Sequence, residues 1–194
     1  MVMQLTAILT SRTTQPAGTG GFIDPTRVVG SFNISPGMKI SDFGCGAGYF
    51  TNLMAEKTGP DGKVYAFDIQ ENALDSVQAK ARAEGLNNIQ TIRANLEIAG
   101  SSGLVDDSQD IILLANILFQ SNKKAEIIRE GKRILAKTGR LIIIDWMKGI
   151  NGLGPPDNLR LSPEKIQEIA VKEGLKFSNY LITGQFHFGL IFIK

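Results

Sequence analysis

Along the chain, short apolar or β-rich runs alternate with stretches in which apolar residues return every three or four positions. The first kind occupies residues 40–43, 64–67, 89–92, 111–114 and 141–144. Such runs read as strands, and unbroken apolarity, as at 141–144, reads as burial on both faces of a sheet. Phe50, Leu53 and Met54 follow the first run at helical spacing. Leu74, Val77 and Ala81 follow the second, with Gly85 as the stop. Ile127, Ile128, Gly131, Ile134 and Leu135 form the core stripe of an amphipathic helix. Ser162-Pro163-Glu164 opens another, with Ile166, Ile169 and Ala170 on its inner face. The tail differs: residues 177–183 and 186–193 are β-rich and separated only by Gly184-Gln185, a hairpin pattern.

Five βα units and a terminal hairpin predict an α/β fold. It is a doubly wound, mainly parallel seven-stranded sheet with a C-terminal antiparallel hairpin. Ligands in such sheets sit beyond the carboxyl ends of the strands, at the switch point. Residues 11–21 are polar and Gly-rich, so 1–21 reads as a flexible arm and 22–194 as a single domain. Order is expected to begin at Asp24-Pro25, an N-cap followed by proline at the first helical position.

Composition narrows the chemistry. Lys plus Arg is 21 and Asp plus Glu is 19, a net charge of +2 that supplies no strong field for nucleic acid or an anionic membrane. One Cys and one His exclude a disulfide framework and a zinc site of the usual His/Cys kind, so no metal is expected. The longest apolar runs fall far short of the ~20 residues of a membrane span, and residues 1–9 lack a signal-peptide pattern. The expected location is therefore cytoplasmic.

The first run ends in Asp42-Phe43-Gly44-Cys45-Gly46-Ala47-Gly48. Alternate glycines permit a tight turn and close approach of a ligand to the backbone, and the next helix N-terminus offers free N–H groups. Asp68 closes the second run, where an acid accepts hydrogen bonds from ribose hydroxyls. A dinucleotide fingerprint requires a further glycine, but Tyr49 or Thr51 stands there, depending on the register. Asp42 suits a ligand carrying an amino group. A cationic amino-acid moiety joined to adenosine satisfies both carboxylates.

At these residues the chain resembles the class I S-adenosylmethionine-dependent methyltransferases, from about Phe22 to Lys194. Residues 40–48 look like the family's first motif and Ala66-Phe67-Asp68-Ile69 like its second. Asp107-Ser108-Gln109-Asp110 and residues 135–140 look like its later landmarks. Within the family the chain looks closest to the small "type 11" branch. That branch is similar to quinone-biosynthesis and arsenite methyltransferases, whose diagnostic features this chain lacks; Cys45 alone cannot perform multi-thiol arsenic chemistry.

The resemblance implies S-adenosylmethionine as cofactor. Gly44, Cys45, Gly46 and Gly48 would line its methionine portion and Asp42 its amino group. Asp68 would hold the ribose and Ile69 would pack on the adenine. Asn95 replaces a family acid beside the adenine, with Leu96 next to it, and Asn116 would sit at the methyl-donor end. Phe119 stands where relatives often carry His.

Bland readings compete with several of these. Asp42 and Asn116 would be capping residues, Cys45 a small filler, His187 a half-buried structural residue, and Trp146 core packing. Asn116 and His187 are the catalytic candidates that remain. The implied function is methyl transfer by in-line displacement to a small, apolar or aromatic acceptor. The alternatives are a protein methyltransferase, a cofactor-binding module without catalysis, and an NAD-dependent oxidoreductase. Nucleic acid is an unfavoured partner. The arm, with Phe22 and Ile23, is expected to close over the cofactor.

Overall fold

In the computed structural model, which describes residues 23–150 and 152–194, the chain builds a single seven-stranded sheet. Helix α1 (Pro25–Gly30) opens the order: the Asp24 side chain accepts from the Arg27 amide at 3.2 Å, and Pro25 follows it. Then come β1 (Lys39–Phe43), α2 (Tyr49–Thr58), β2 (Lys63–Asp68), α3 (Glu71–Ala83), β3 (Ile89–Arg93) and β4 (Gln109–Ala115). After a 3-10 turn at Leu118–Gln120 follow α4 (Lys124–Ile134), β5 (Leu135–Trp146), α5 (Pro163–Lys172), β6 (Lys176–Leu181) and β7 (His187–Ile193).

The strand order is β3-β2-β1-β4-β5-β7-β6. β1 pairs in parallel with both β2 and β4, so the winding direction reverses between β1 and β4. β7 runs antiparallel between β5 and β6, which makes it a paired inner strand and leaves β6 at the edge.

The continuous apolar runs are explained by two cores. Ile112, Leu114, Leu141 and Ile143 face Ile127, Ile128 and Ile134 of α4 and Ile166 and Ala170 of α5. The alternate residues Ile111, Leu113, Ile142 and Ile144 face Val28 and Val29 of α1 and Met54 and Ala55 of α2. Each large side chain so buried contributes about 1.5–3 kcal/mol. Helix ends follow local chemistry. At Gly85, φ is +69° and the Leu86 and Gly85 amides donate to the Ala81 and Arg82 carbonyls, the paired bonds of a Schellman stop.

Two expectations change. The third βα unit has no helix: residues 94–108 connect β3 to β4 through turns at Gly100 and Gly103, both with positive φ. Glu130 of α4 holds this segment by accepting from the Gly100 amide and the Ser102 hydroxyl. Arg133 pairs with Glu130 at 2.7 Å and donates to the Leu104 carbonyl. Leu135 belongs to β5 and not to the helix stripe; α4 stops at Ile134 and the chain turns directly into a twelve-residue strand. The expected arm, residues 1–21, with Phe22 beside it, lies outside the described residues.

Candidate functional site

The glycine loop lies at the switch point. The Gly44 and Cys45 amides both donate to the Phe67 carbonyl, at 2.8 and 2.9 Å, so the loop bends back over β2. Gly44 has φ +73°, and a Cβ there would come within 2.2 Å of Ile117 Cγ2, so the loop also rests on the turn after β4. Gly46 has φ +50° and faces open space. Its amide donates to Asp68 Oδ2 at 3.0 Å, while the Gln70 amide donates to Asp68 Oδ1 at 2.9 Å. Each carboxylate oxygen keeps acceptor capacity for a further donor. Lys80 of α3 clamps the far side: its ammonium donates to the Ala47 carbonyl at 2.7 Å and lies 4.3 Å from the centre of the Tyr49 ring. Gly48 is the N-cap of α2.

Asp42 lies beneath the loop. It is 2% exposed, takes a 2.6 Å hydrogen bond from the Thr51 hydroxyl, and accepts from no backbone amide among the described residues. Burial pushes its carboxyl up to about 7; the Thr51 bond opposes that shift and the charge of Asp68 adds to it. The Cys45 thiol is pushed up by burial and by both carboxylates, which keeps it neutral, and it packs with Ala66, Leu74 and Val77. The filler reading of Cys45 therefore fits its surroundings.

Around the loop, Ile69 is 59% exposed directly after Asp68, an apolar surface at the mouth of the site. Asn95 is exposed; its side-chain oxygen accepts from the Glu97 amide at 3.0 Å, closing a local turn and leaving one lone pair. Leu96 is next in the chain. Its side chain is 7% exposed and packs in the core with Phe43, Phe67 and Leu118, because the turn at Asn95 directs it inward.

At the carboxyl end of β4, Asn116 adopts φ +58°, an uncommon conformation for a residue with a side chain. Its amide donates to the Ile144 carbonyl at 2.8 Å, and its buried Oδ1 has no hydrogen-bond partner among the described residues. It caps no helix: the N-cap of α4 is Lys123, with no side-chain bond. Phe119, half-buried, donates its amide to Asp145, and the Trp146 amide donates to the same carboxyl at 2.8 Å. Asp145 ends the apolar run of β5, and burial raises it to about 6 against these bonds and the charge of Lys124. Sequence reasoning passed over Asp145, although an acid closing a fully apolar strand is a readable signal.

Trp146 and His187 pair directly across β5 and β7, with ring centroids 4.1 Å apart and planes inclined by 41°. Both nitrogens of the buried His187 ring are without hydrogen-bond partners among the described residues. Burial, with the charge of Arg160, lowers it to about 4. The buried Arg160 guanidinium lies 5.6 Å from the Trp146 ring centre and donates to the carbonyls of Met147, Ile150, Leu153 and Pro155. No sequence pattern marked Arg160. A cavity of about 310 Å³ opens within its loop, and none of the glycine-loop residues line it.

These surroundings fit the sulfonium cofactor. The open face of Gly46, the anchored Asp68 carboxylate, the exposed Ile69 and the orphaned Asn116 oxygen all gather at the carboxyl ends of β1, β2 and β4.

Comparison with known proteins agrees. A family described as a methyltransferase domain matches residues 34–173. A S-adenosylmethionine-dependent methyltransferase from Aquifex aeolicus superposes with a TM-score of 0.80 at 27% identity, over 89% of this chain and 90% of that one. A putative type 11 methyltransferase from Sulfolobus solfataricus gives 0.66 at 29% identity, over 88% of each chain. A demethylmenaquinone methyltransferase from Geobacillus stearothermophilus is 30% identical over 118 residues, 61% of this chain and 49% of that protein. The chain thus spans about half the length of that curated relative. It belongs to the methyltransferase-domain family, its fold is shared with S-adenosylmethionine-dependent methyltransferases of solved structure, and its cofactor is S-adenosylmethionine. Among the described residues, no helix is long and apolar enough to cross a membrane.

Proposed function

We propose that the chain transfers the methyl group of S-adenosylmethionine to a small, apolar or aromatic acceptor. The observation that carries this reading is the aromatic pair of Trp146, at the carboxyl end of β5, and His187, at the amino end of β7, with Phe119 in the turn after β4. Around it the Asn116 Oδ1 and the Asp145 carboxyl are buried, and the buried Arg160 guanidinium lies against the indole. The name of the Geobacillus relative, a demethylmenaquinone methyltransferase, also points to a small-molecule acceptor.

When bound, the cofactor supplies a methyl carbon already attached to its leaving group. The work left to this chain is orientation and exclusion of water, and positioning of this kind supplies about 7–11 kcal/mol. Asp68 and the Gly46 face would fix the nucleoside, and Asp42 the amino-acid end. Asn116 would present its free oxygen beside the reacting centre. A neutral His187 and a buried Asp145 are the groups able to hold a proton on the acceptor side.

The test is to incubate purified full-length chain and tritium-labelled S-adenosylmethionine with a metabolite extract and, separately, with a proteome. Label in a small organic-soluble product is expected. Label in protein alone would make the chain a protein methyltransferase. Binding of S-adenosylhomocysteine with label in neither fraction would leave a cofactor-binding module. The oxidoreductase alternative is disfavoured by Tyr49, which replaces the glycine a dinucleotide requires.

A further inference from the structure

We propose that the His187 imidazole is the group that hydrogen-bonds a hydroxyl or carbonyl on the ring of the acceptor, making it a specificity-determining residue of the acceptor site. This rests on the methyl-transfer reading above and adds to it which side chain recognises the acceptor.

The first ground is the state of the ring. His187 is 3% exposed, and neither Nδ1 nor Nε2 has a hydrogen-bond partner among the described residues. A buried polar group left unpaired destabilises a fold, whereas an apolar ring of the same shape would not. Packing alone therefore does not account for an imidazole at this position. The stacking on Trp146 would be served as well by phenylalanine.

The second ground is place. His187 opens β7 and Trp146 ends β5, at the end of the sheet that carries the glycine loop and Asn116. β7 and β4 are separated by β5 alone, about 10 Å between strand axes. A small planar molecule held at His187 reaches the end of β4 without leaving the sheet's rim. Trp146 follows Ile142 and Ile144 at every second position of β5, so the stacked pair lies on the α1 and α2 face, the face of Asp42 and Thr51.

The third ground is rigidity. The Thr183 hydroxyl donates to the His187 carbonyl at 2.8 Å, fixing the backbone at the start of β7. The indole is held by Arg160 and by Gly154, where a Cβ would come within 2.5 Å of its ring. Burial and the charge of Arg160 favour the neutral ring, which offers one donor and one acceptor nitrogen. A hydroxyl or a carbonyl is thereby served with equal ease.

The chain contains one His and one Trp, so the two imidazole nitrogens and the indole nitrogen are assigned without ambiguity in a selectively labelled sample. Full-length protein saturated with S-adenosylhomocysteine is titrated with 2-naphthol and, separately, with naphthalene, while the ¹⁵N signals of the imidazole and the indole are followed. The expected result is a shift of the imidazole nitrogens with 2-naphthol, a binding constant at least tenfold tighter than for naphthalene, and loss of that preference in His187→Phe. The affinity for S-adenosylhomocysteine should be the same in both proteins. Imidazole signals that stay put at saturating 2-naphthol, equal affinities for the two probes, or no binding of either would overturn the proposal. The titration of the unaltered chain stands even if the variant does not fold. Failure of the methyl-transfer reading would appear in the labelling experiment and not here.

Discussion

The Gly46 amide donates to Asp68 Oδ2 at 3.0 Å, tying the glycine loop after β1 to the end of β2. One carboxylate thus shapes the loop and presents acceptor capacity to a ligand. Asp68→Ala removes both roles. At roughly 1.5–3 kcal/mol for each charge-assisted hydrogen bond to ribose, affinity for S-adenosylhomocysteine should fall at least about a hundredfold. The melting temperature should also fall, since the Gly46 and Gln70 amides lose their acceptor. Calorimetric titration checks the first effect; unchanged affinity in the folded variant would refute the ribose assignment.

Asp42 sets a pH dependence opposite in sign to that of an ordinary surface carboxylate. Its folded value, about 7, lies above the unfolded value of 3.8. The folded state therefore binds the proton more tightly, and stability is full below the unfolded value and declines as pH rises toward 7. Asp145, raised to about 6, adds to the decline over the lower part of that window. Each group contributes a slope of up to about 1.4 kcal/mol per pH unit. Denaturant unfolding should show a less stable protein at pH 7.5 than at pH 5. Asp42→Asn keeps an acceptor for Thr51, so it should flatten this slope, stabilise the fold at pH 8 and weaken cofactor binding. An unaltered slope in the variant would remove Asp42 from the account.

Two glycines of one loop should fail differently. At Gly44 an added methyl meets Ile117 at 2.2 Å, so Gly44→Ala should lower the melting temperature as well as cofactor affinity. At Gly46 the methyl meets no protein atom within 4 Å, and the stability loss should stay near the 1–2 kcal/mol of a left-handed alanine, roughly. Its effect on cofactor affinity should be the larger of its two effects, because the methyl projects where a ligand approaches. Similar stability losses at both positions, with Gly46→Ala binding cofactor normally, would contradict this division.

Arg160 donates to four backbone carbonyls of its own loop. Lysine carries three donors on one nitrogen and cannot reach four separate carbonyls. Arg160→Lys should therefore loosen residues 147–160 and speed their cleavage by a nonspecific protease severalfold, with the sheet intact by circular dichroism. Unchanged cleavage rates would mean that the loop is held by other contacts.

The sequence by itself determined most of the strands, helices and stops of this protein, and marked the glycine loop and Asp68 as parts of one site, but not the missing helix after β3 or the early start of β5. These rest on local physics: periods of 2 and 3.6, the caps at Asp24 and Ser162, and left-handed glycines such as Gly85. Each of those signals is complete within a few residues. What only the tertiary structure decided is how distant segments share burial. The insertion of β7 between β5 and β6 sets His187 against Trp146 and leaves its nitrogens without partners. The reversal at β1 and β4 places Ile117 under Gly44. The turn at Asn95 sends Leu96 into the core, and the closing of both sheet faces raises Asp42 and Asp145. Desolvation depends on every element packed around a group, so a carboxylate's charge state and a histidine's unpaired nitrogens follow from the assembled fold and not from the neighbours in the chain.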